Sequence, residues 1–212
     1  MEIMEDTIAA IATAVAEAGI SIVRISGKQA IETAARIFRS GKKDFVLEEQ
    51  PSHTIHYGFI YDGEERVDEV LLLLMKGPHS YTGEDTVEIN CHGGILVVKR
   101  ILEAVLKTEV RPADPGEFTK RAFLNGRLDL SQAEAVIDVI NSRNDFALKS
   151  SVSQLKGSLS GKIREVREKL LYQIAFIESA LDDPEHISLD GYPEQLLDTI
   201  NPLALQLSEL LK

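Results

Sequence analysis

Cysteine is nearly absent: Cys91 is the only one, so the chain cannot form an intrachain disulfide, and a reducing compartment is the natural expectation. No apolar run approaches the roughly 18 residues of a membrane span, and the opening residues MEIMEDTIAA lack the basic stretch of a signal peptide. A cytoplasmic protein without a membrane partner is expected. Basic charge is also scarce, at 23 Lys and Arg against 34 Asp and Glu, for a formal net charge of -11. A chain of that sign does not wrap nucleic acid by bulk electrostatics. No internal repeat or low-complexity segment is present. The segment from Gly157 to Ile163 has three residues between its glycines and an isoleucine after its lysine. A phosphate loop needs four, then Ser or Thr after the lysine, between a strand and a helix. Metal ligation is not expected either. His53 and His56 are three apart in a predicted strand and so point to opposite faces, while Cys91 and His92 are adjacent.

A hydrophobic share of 44% in 212 residues is ample for one large domain or two small ones. Apolar runs at 6–14 and 21–26 read as strands, and 28–39 as an amphipathic helix. In Val23-Arg24-Ile25 the arginine falls on the face opposite its neighbours. Residues 53–61 alternate, Asp62-Gly63 signals a hairpin, and 67–75 answers as a strand whose continuous Leu71 to Leu74 run predicts burial on both faces. In 85–91 alternation puts Glu88 and Asn90 side by side on a polar face. A helix is expected over 95–106. The fold class predicted is an α+β amino-terminal domain, residues 1–118, with a mixed sheet and helices. An all-α segment follows, residues 119–212, in which Leu148, Leu159, Leu170 and Leu181 recur every eleven residues. That period predicts one continuous helix over 144–181, about 57 Å long at ~1.5 Å per residue. Asp183-Pro184 stops it. A last helix begins at Pro193, with a kink or split expected at Pro202. Part of the apolar stripe on these helices has nothing to cover it, and the sequence ends at Lys212 within that stripe.

The densest stretch runs from Pro112 to Asp138. Asp114-Pro115-Gly116 is suited to starting a helix, Asn125-Gly126 to ending it, and Asp129 or Ser131 to capping the next. Between the caps stand Lys120, Arg121, Asn125 and Arg127, donors that packing does not require. Residues 99–127 carry roughly +3 within an otherwise acidic chain. A local anion site is expected there. The turn-rich loop Ser80-Tyr-Thr-Gly-Glu-Asp85 could form one wall of it.

Four ordered motifs carry a resemblance. Val23-Arg-Ile-Ser-Gly27, Ser80 to Asp85, Glu88-Ile-Asn-Cys-His-Gly-Gly94 and the long run Pro115 to Ala135 together resemble the MnmE (TrmE) family of tRNA-modification GTPases. The resemblance implies an amino-terminal domain like the folate-binding domains of one-carbon enzymes, dimerising through that domain, followed by the first part of a helical domain. It places the end of this sequence about where an inserted GTPase domain would start. GTP, Mg and K would therefore belong to a part not present here, and this stretch alone would neither bind nor hydrolyse GTP. The implied cofactor is 5-formyl- or 5,10-methylene-tetrahydrofolate, with Arg24, Glu88 and Arg127 at the positions of the family's folate contacts. Asn90, Arg121 and Asn125 are weaker candidates. The resemblance further implies a homodimer, the flavoprotein MnmG as partner, and tRNA as substrate of the complex, modified at carbon 5 of the wobble uridine. A folate carries two glutamyl carboxylates suited to an arginine fork and a pterin whose ring N–H and amino group pair with one carboxylate, here Glu88. Two rival readings are a dimerisation module without ligand and a stand-alone folate-dependent one-carbon transferase.

Overall fold

The computed structural model describes residues 6–210. Two compact units divide at Leu128/Asp129, not at residue 118, because the helix after residue 116 is tied into the first unit. The first unit is built on a seven-stranded sheet. Its strands are β1 (Ile8–Ile11), β2 (Ile20–Ser26), β3 (Phe38–Ser40), β4 (Thr54–Asp62), β5 (Glu65–Met75), β6 (Thr86–His92) and β7 (Arg111–Pro112). Their spatial order is β3-β4-β5-β6-β2-β1-β7, with every pairing antiparallel except β1 with β7. The β4–β5 hairpin turns at Gly63-Glu64, where Gly63 takes a positive φ of 63°, as Asp62-Gly63 predicted.

Alternation decides which residues meet the core. Val23 and Ile25 on β2, Val70, Leu72 and Leu74 on β5, and Val87, Ile89 and Cys91 on β6 are buried in one cluster. Two helices cover that face, α1 (Ala30–Ile37) and α2 (Ile95–Leu106), contributing Ala30, Ile31, Ala34, Val98, Ile101 and Val105. Neither α1 nor α2 covers the opposite face, and there the expectation for β5 fails. Leu71 is 48% exposed, beside Tyr57 at 52% and Ile55 at 62%, because only every second leucine of the run points at α1 and α2. Register lays Ile55, Leu73, Glu88, Arg24 and Ala10 in one row across this open face, and Tyr57, Leu71, Asn90 and Ile22 in the next.

Helix α3 (Glu117–Leu124) starts differently from the predicted capping. Gly116 precedes it in a left-handed conformation, φ 75°, and Asp114 does not cap. Instead the Asp114 backbone N–H donates to the Glu117 carboxylate at 2.8 Å. Asn125-Gly126 ends the helix as expected.

The second unit is helical throughout: α4 (Leu130–Asn141), α5 (Asp145–Leu155), α6 (Ser158–Asp182) and α7 (Tyr192–Leu210). Asp129 caps α4 in a reciprocal capping box with Gln132, one of the two predicted caps. The continuous helix expected over 144–181 is two helices. Gly157, φ 77°, sits between them in a left-handed conformation. The break is held by α4: Gln132 Nε2 donates to the Leu155 carbonyl at 2.9 Å, Gln154 Nε2 to the Ser131 carbonyl at 3.1 Å, and Ser160 Oγ to Asp129 Oδ2. The eleven-residue leucine period runs across this break, and α6 alone, at 25 residues, is only about 37 Å long. Gly157 to Gly161 thus opens α6 and does not lie within a longer helix. Asp183-Pro184 ends α6, and α7 runs through Pro202 without splitting. The expectation about Lys212 lies outside the described residues. Many apolar side chains of this unit are exposed, among them Ile140, Phe146, Leu181 and Leu205.

The two glycines of that segment should respond oppositely to alanine. Gly157→Ala forces a Cβ into a left-handed residue and to 3.2 Å from Gln132 Nε2, costing about 1–2 kcal/mol. Gly161→Ala meets nothing within 4 Å and should stabilise by up to about 1 kcal/mol. Urea denaturation followed by circular dichroism distinguishes the two.

Candidate functional site

On the open sheet face an ion pair joins two paired strands. Arg24 and Glu88 are direct cross-strand partners on β2 and β6, so their side chains emerge together. Arg24 Nε and Nη2 both approach Glu88 Oε1, at 2.8 and 2.7 Å. The pair is partly buried, with side-chain exposures of 22% and 14%. Leu73 is the other cross-strand neighbour of Glu88.

Two aromatic rings from other segments close on Arg24. Its guanidinium carbon lies 4.9 Å from the Tyr81 ring centroid and 5.4 Å from that of Phe118, within cation–π range. Arg127 reaches the same tyrosine from the turn after α3, its guanidinium carbon 5.1 Å from the ring centroid. The Tyr81 hydroxyl is hydrogen-bonded to Thr119 Oγ1 at 2.9 Å. Arg127 is exposed and, among the described residues, has no carboxylate partner. Three residues taken from separate motifs, Arg24, Glu88 and Arg127, are therefore brought together. Tyr81 and Phe118 were not singled out from the sequence, although both lie within the quoted motifs. Aromatic residues there had no periodicity to mark them as ligand-facing.

The weaker candidates lie elsewhere or are otherwise engaged. Asn90 shares the open face but is one row away, its amide directed to the Leu71 carbonyl at 3.4 Å. Asn125 donates to the Thr82 carbonyl at 2.8 Å and so anchors the 80–85 loop. Arg121 is 1% exposed. Its Nη1 donates to the Asp6 carbonyl at 2.8 Å and approaches both Glu84 oxygens at 3.3 Å; its Nη2 contacts Asp6 Oδ1 at 2.8 Å and Glu117 Oε1 at 3.1 Å. Arg111 completes the cluster, reaching Glu117 with two donors at 2.7 and 3.1 Å and Asp6 at 2.8 Å. Glu84 Oε2 in turn accepts from Ser26 Oγ at 2.8 Å, two residues from Arg24. Arg121 thus ties α3 and the 80–85 loop to the sheet.

This cluster sets strong shifts. The Arg111 hydrogen bonds hold the Glu117 carboxyl down to about 2, against an ordinary value of 4.5. The same arginine, with Arg121, lowers Asp6, and the two carboxylates raise Arg111. At the far edge of the open face, the hydrogen bond that His92 Nδ1 donates to the Asp68 carboxylate at 2.7 Å raises His92.

A mixed sheet with helices on one face and an arginine–carboxylate pair with an accessible second arginine on the other defines an α+β domain, joined in this chain to a helical unit. Known proteins give the class a family. Residues 7–127 match the family described as the GTP-binding protein TrmE N-terminus, and residues 130–212 match the MnmE helical domain. The chain belongs to the TrmE/MnmE family. It is 58% identical over 206 residues to the tRNA modification GTPase MnmE of Lachnoclostridium phytofermentans, covering 97% of this chain and 45% of that protein. Its likeness to the MnmE of Clostridioides difficile is 58% over 184 residues, 86% of this chain and 39% of the other. For that of Carboxydothermus hydrogenoformans it is 51% over 212 residues, 98% and 45%. The chain therefore spans less than half the length of these relatives.

The lowered carboxyls of Glu117 and Asp6 make stability depend on pH. A carboxyl held low in the folded state contributes stability that is complete above its unfolded value and lost as pH falls through that value toward the folded one. The thermal midpoint should therefore be flat near neutrality and fall steadily from about pH 5 toward pH 2. Glu117→Gln should flatten that slope while lowering the midpoint at pH 7. Arg121→Met, which takes a buried cation from between Glu84, Glu117 and Asp6, should cost about 3–5 kcal/mol in urea denaturation at pH 7.

Proposed function

We propose that this chain is the tetrahydrofolate-binding and dimerising portion of a tRNA-modification GTPase. The observation that carries the reading is the Arg24–Glu88 pair on an open sheet face with the accessible Arg127 beside it. A reduced folate suits each group. Glu88 directs both Arg24 contacts to Oε1, which leaves Oε2 to accept from the pterin amino group or ring N–H. The glutamyl carboxylates suit a guanidinium fork, and Arg127 has one to offer. The phenyl face of Phe118 supplies apolar surface for the planar parts of the ligand. The ligand is 5-formyl- or 5,10-methylene-tetrahydrofolate, the one-carbon donor.

The same face supports self-association. Ile20, Ile55, Tyr57 and Leu71 project large apolar side chains from it, a patch of the kind that marks an interaction surface. A second copy related by a twofold axis would meet it with the identical patch. Because the row holding Arg24 and Glu88 continues through Leu73 to Ile55, such a partner would also shield the ligand site from water. In the whole protein, GTP hydrolysis with Mg and K would drive the working cycle. The flavoprotein MnmG would be the partner, and together they would use the folate carbon to build a substituent on carbon 5 of the wobble uridine of tRNA in the cytoplasm.

Isothermal titration with 5-formyl-tetrahydrofolate should give saturable binding by the wild-type chain. Arg24→Ala, Glu88→Gln and Arg127→Ala should each weaken it about 10- to 100-fold, the value of a charge-assisted hydrogen bond. Absence of heat with the wild type would favour a ligand-free dimerisation module. In sedimentation the wild type should run as a dimer and Leu71→Glu as a monomer.

A further inference from the structure

The Tyr81 ring is shared by Arg24 and Arg127, with guanidinium carbons 4.9 and 5.1 Å from its centroid. Two like charges converge on one ring while a single carboxylate, Glu88, engages only the first. Repulsion and solvation would ordinarily draw an exposed arginine such as Arg127 away into water. The negative face of an aromatic ring offsets this by attracting both cations at no cost in added charge.

The ring is itself held rigidly. Its hydroxyl bonds Thr119 on α3 at 2.9 Å. Its backbone neighbours are pinned on both sides: Ser80 Oγ donates to the Glu84 carbonyl at 2.6 Å, and Thr82 is fully buried, with Oγ1 2.6 Å from Ser26 Oγ and its carbonyl accepting from Asn125 at 2.8 Å. The Glu84 carboxylate is clamped by the buried Arg121. A loop anchored at so many points carries a side chain whose position does not depend on the ligand.

We propose that Tyr81 is a positioning residue for anion binding, the common platform that keeps the Arg127 guanidinium beside the Arg24–Glu88 pair so that it meets a ligand carboxylate already oriented. The assignment rests on the folate reading for the identity of that ligand. It is the ring that acts, and the hydroxyl only orients it. Tyr81 works through Arg127, so removing the ring is nearly without effect once Arg127 is gone.

The test titrates 5-formyl-tetrahydrofolate into the wild-type chain and into Tyr81→Phe, Tyr81→Leu, Arg127→Ala and the Tyr81→Leu/Arg127→Ala double variant. Tyr81→Phe should bind within about threefold of wild type and Tyr81→Leu about tenfold more weakly, with thermal midpoints alike. The double variant should bind about as tightly as Arg127→Ala alone, the non-additive result of a pair acting as one. Tyr81→Leu binding like wild type, Tyr81→Phe as weak as Tyr81→Leu, or fully additive losses would each overturn the proposal. A ligand-free arm separates its failure from that of the folate reading: the side-chain Nε–H resonance of Arg127 should shift in Tyr81→Leu and hold in Tyr81→Phe. If the wild type fails to bind, the folate reading falls, and this resonance still decides the role of Tyr81. An unmoved resonance in Tyr81→Leu overturns it.

Discussion

The buried guanidinium of Arg121 is the interaction on which the α3 end of the first unit depends. A charge at 1% exposure is tolerated only where its desolvation is offset by paired acceptors. Arg121 finds them in Asp6, Glu84 and Glu117, leaving only Nε without a partner. Those three residues come from the chain before β1, the 80–85 loop and the first turn of α3. One side chain thus fastens three segments that lie far apart in sequence to the same end of the sheet. Its role is to set where Tyr81, Phe118 and Arg127 stand; it makes no direct approach to the open face.

From that fixed frame the chemistry of the open face follows. Seven strands with helices on one side leave a second side that must either be polar or be covered. Here it is both: an arginine–carboxylate pair at one end and exposed isoleucine, tyrosine and leucine along the rest. Within an acidic chain of net charge -11, the accessible Arg127 beside an already neutralised pair makes this a small positive spot. A chain of that net charge does not attract anions at long range, so what this spot offers an anion is short-range hydrogen bonding and stacking. The apolar remainder of the face and the exposed apolar side chains of the helical unit are two separate surfaces with unmet demand for burial, in a chain that spans less than half of its relatives' length.

Much of this was legible in the residues. Alternation placed Arg24 opposite Val23 and Ile25, and Glu88 beside Asn90, because the period of a strand is fixed by the backbone. The preference of helix N-termini for short polar side chains allowed Asp129 or Ser131 to be named as a cap. The reading failed where two local patterns were equally consistent with the same letters. A run of four leucines predicts a strand buried twice over, yet only tertiary structure shows that α1 and α2 cover one face alone. An unbroken leucine period predicts one helix, yet Gly157 takes a left-handed conformation where α4 holds the break, Gln132 donating to the Leu155 carbonyl and the Ser131 carbonyl accepting from Gln154. Arg121 and Arg127, six positions apart in one segment, look alike as letters and end in opposite environments.

What the sequence determined by itself was the longer strands and most of the helices, the face on which Arg24 and Glu88 stand, and the family, since these depend on neighbours within a few positions or on the motifs themselves. What only tertiary structure decided was which donors are spent inside and which remain for a ligand. The difference is physical. Whether a guanidinium is a structural clamp or a binding group depends on the carboxylates that surround it in space, and for Arg121 those arrive from residues 6, 84 and 117, whereas for Arg127 what arrives is a single aromatic ring.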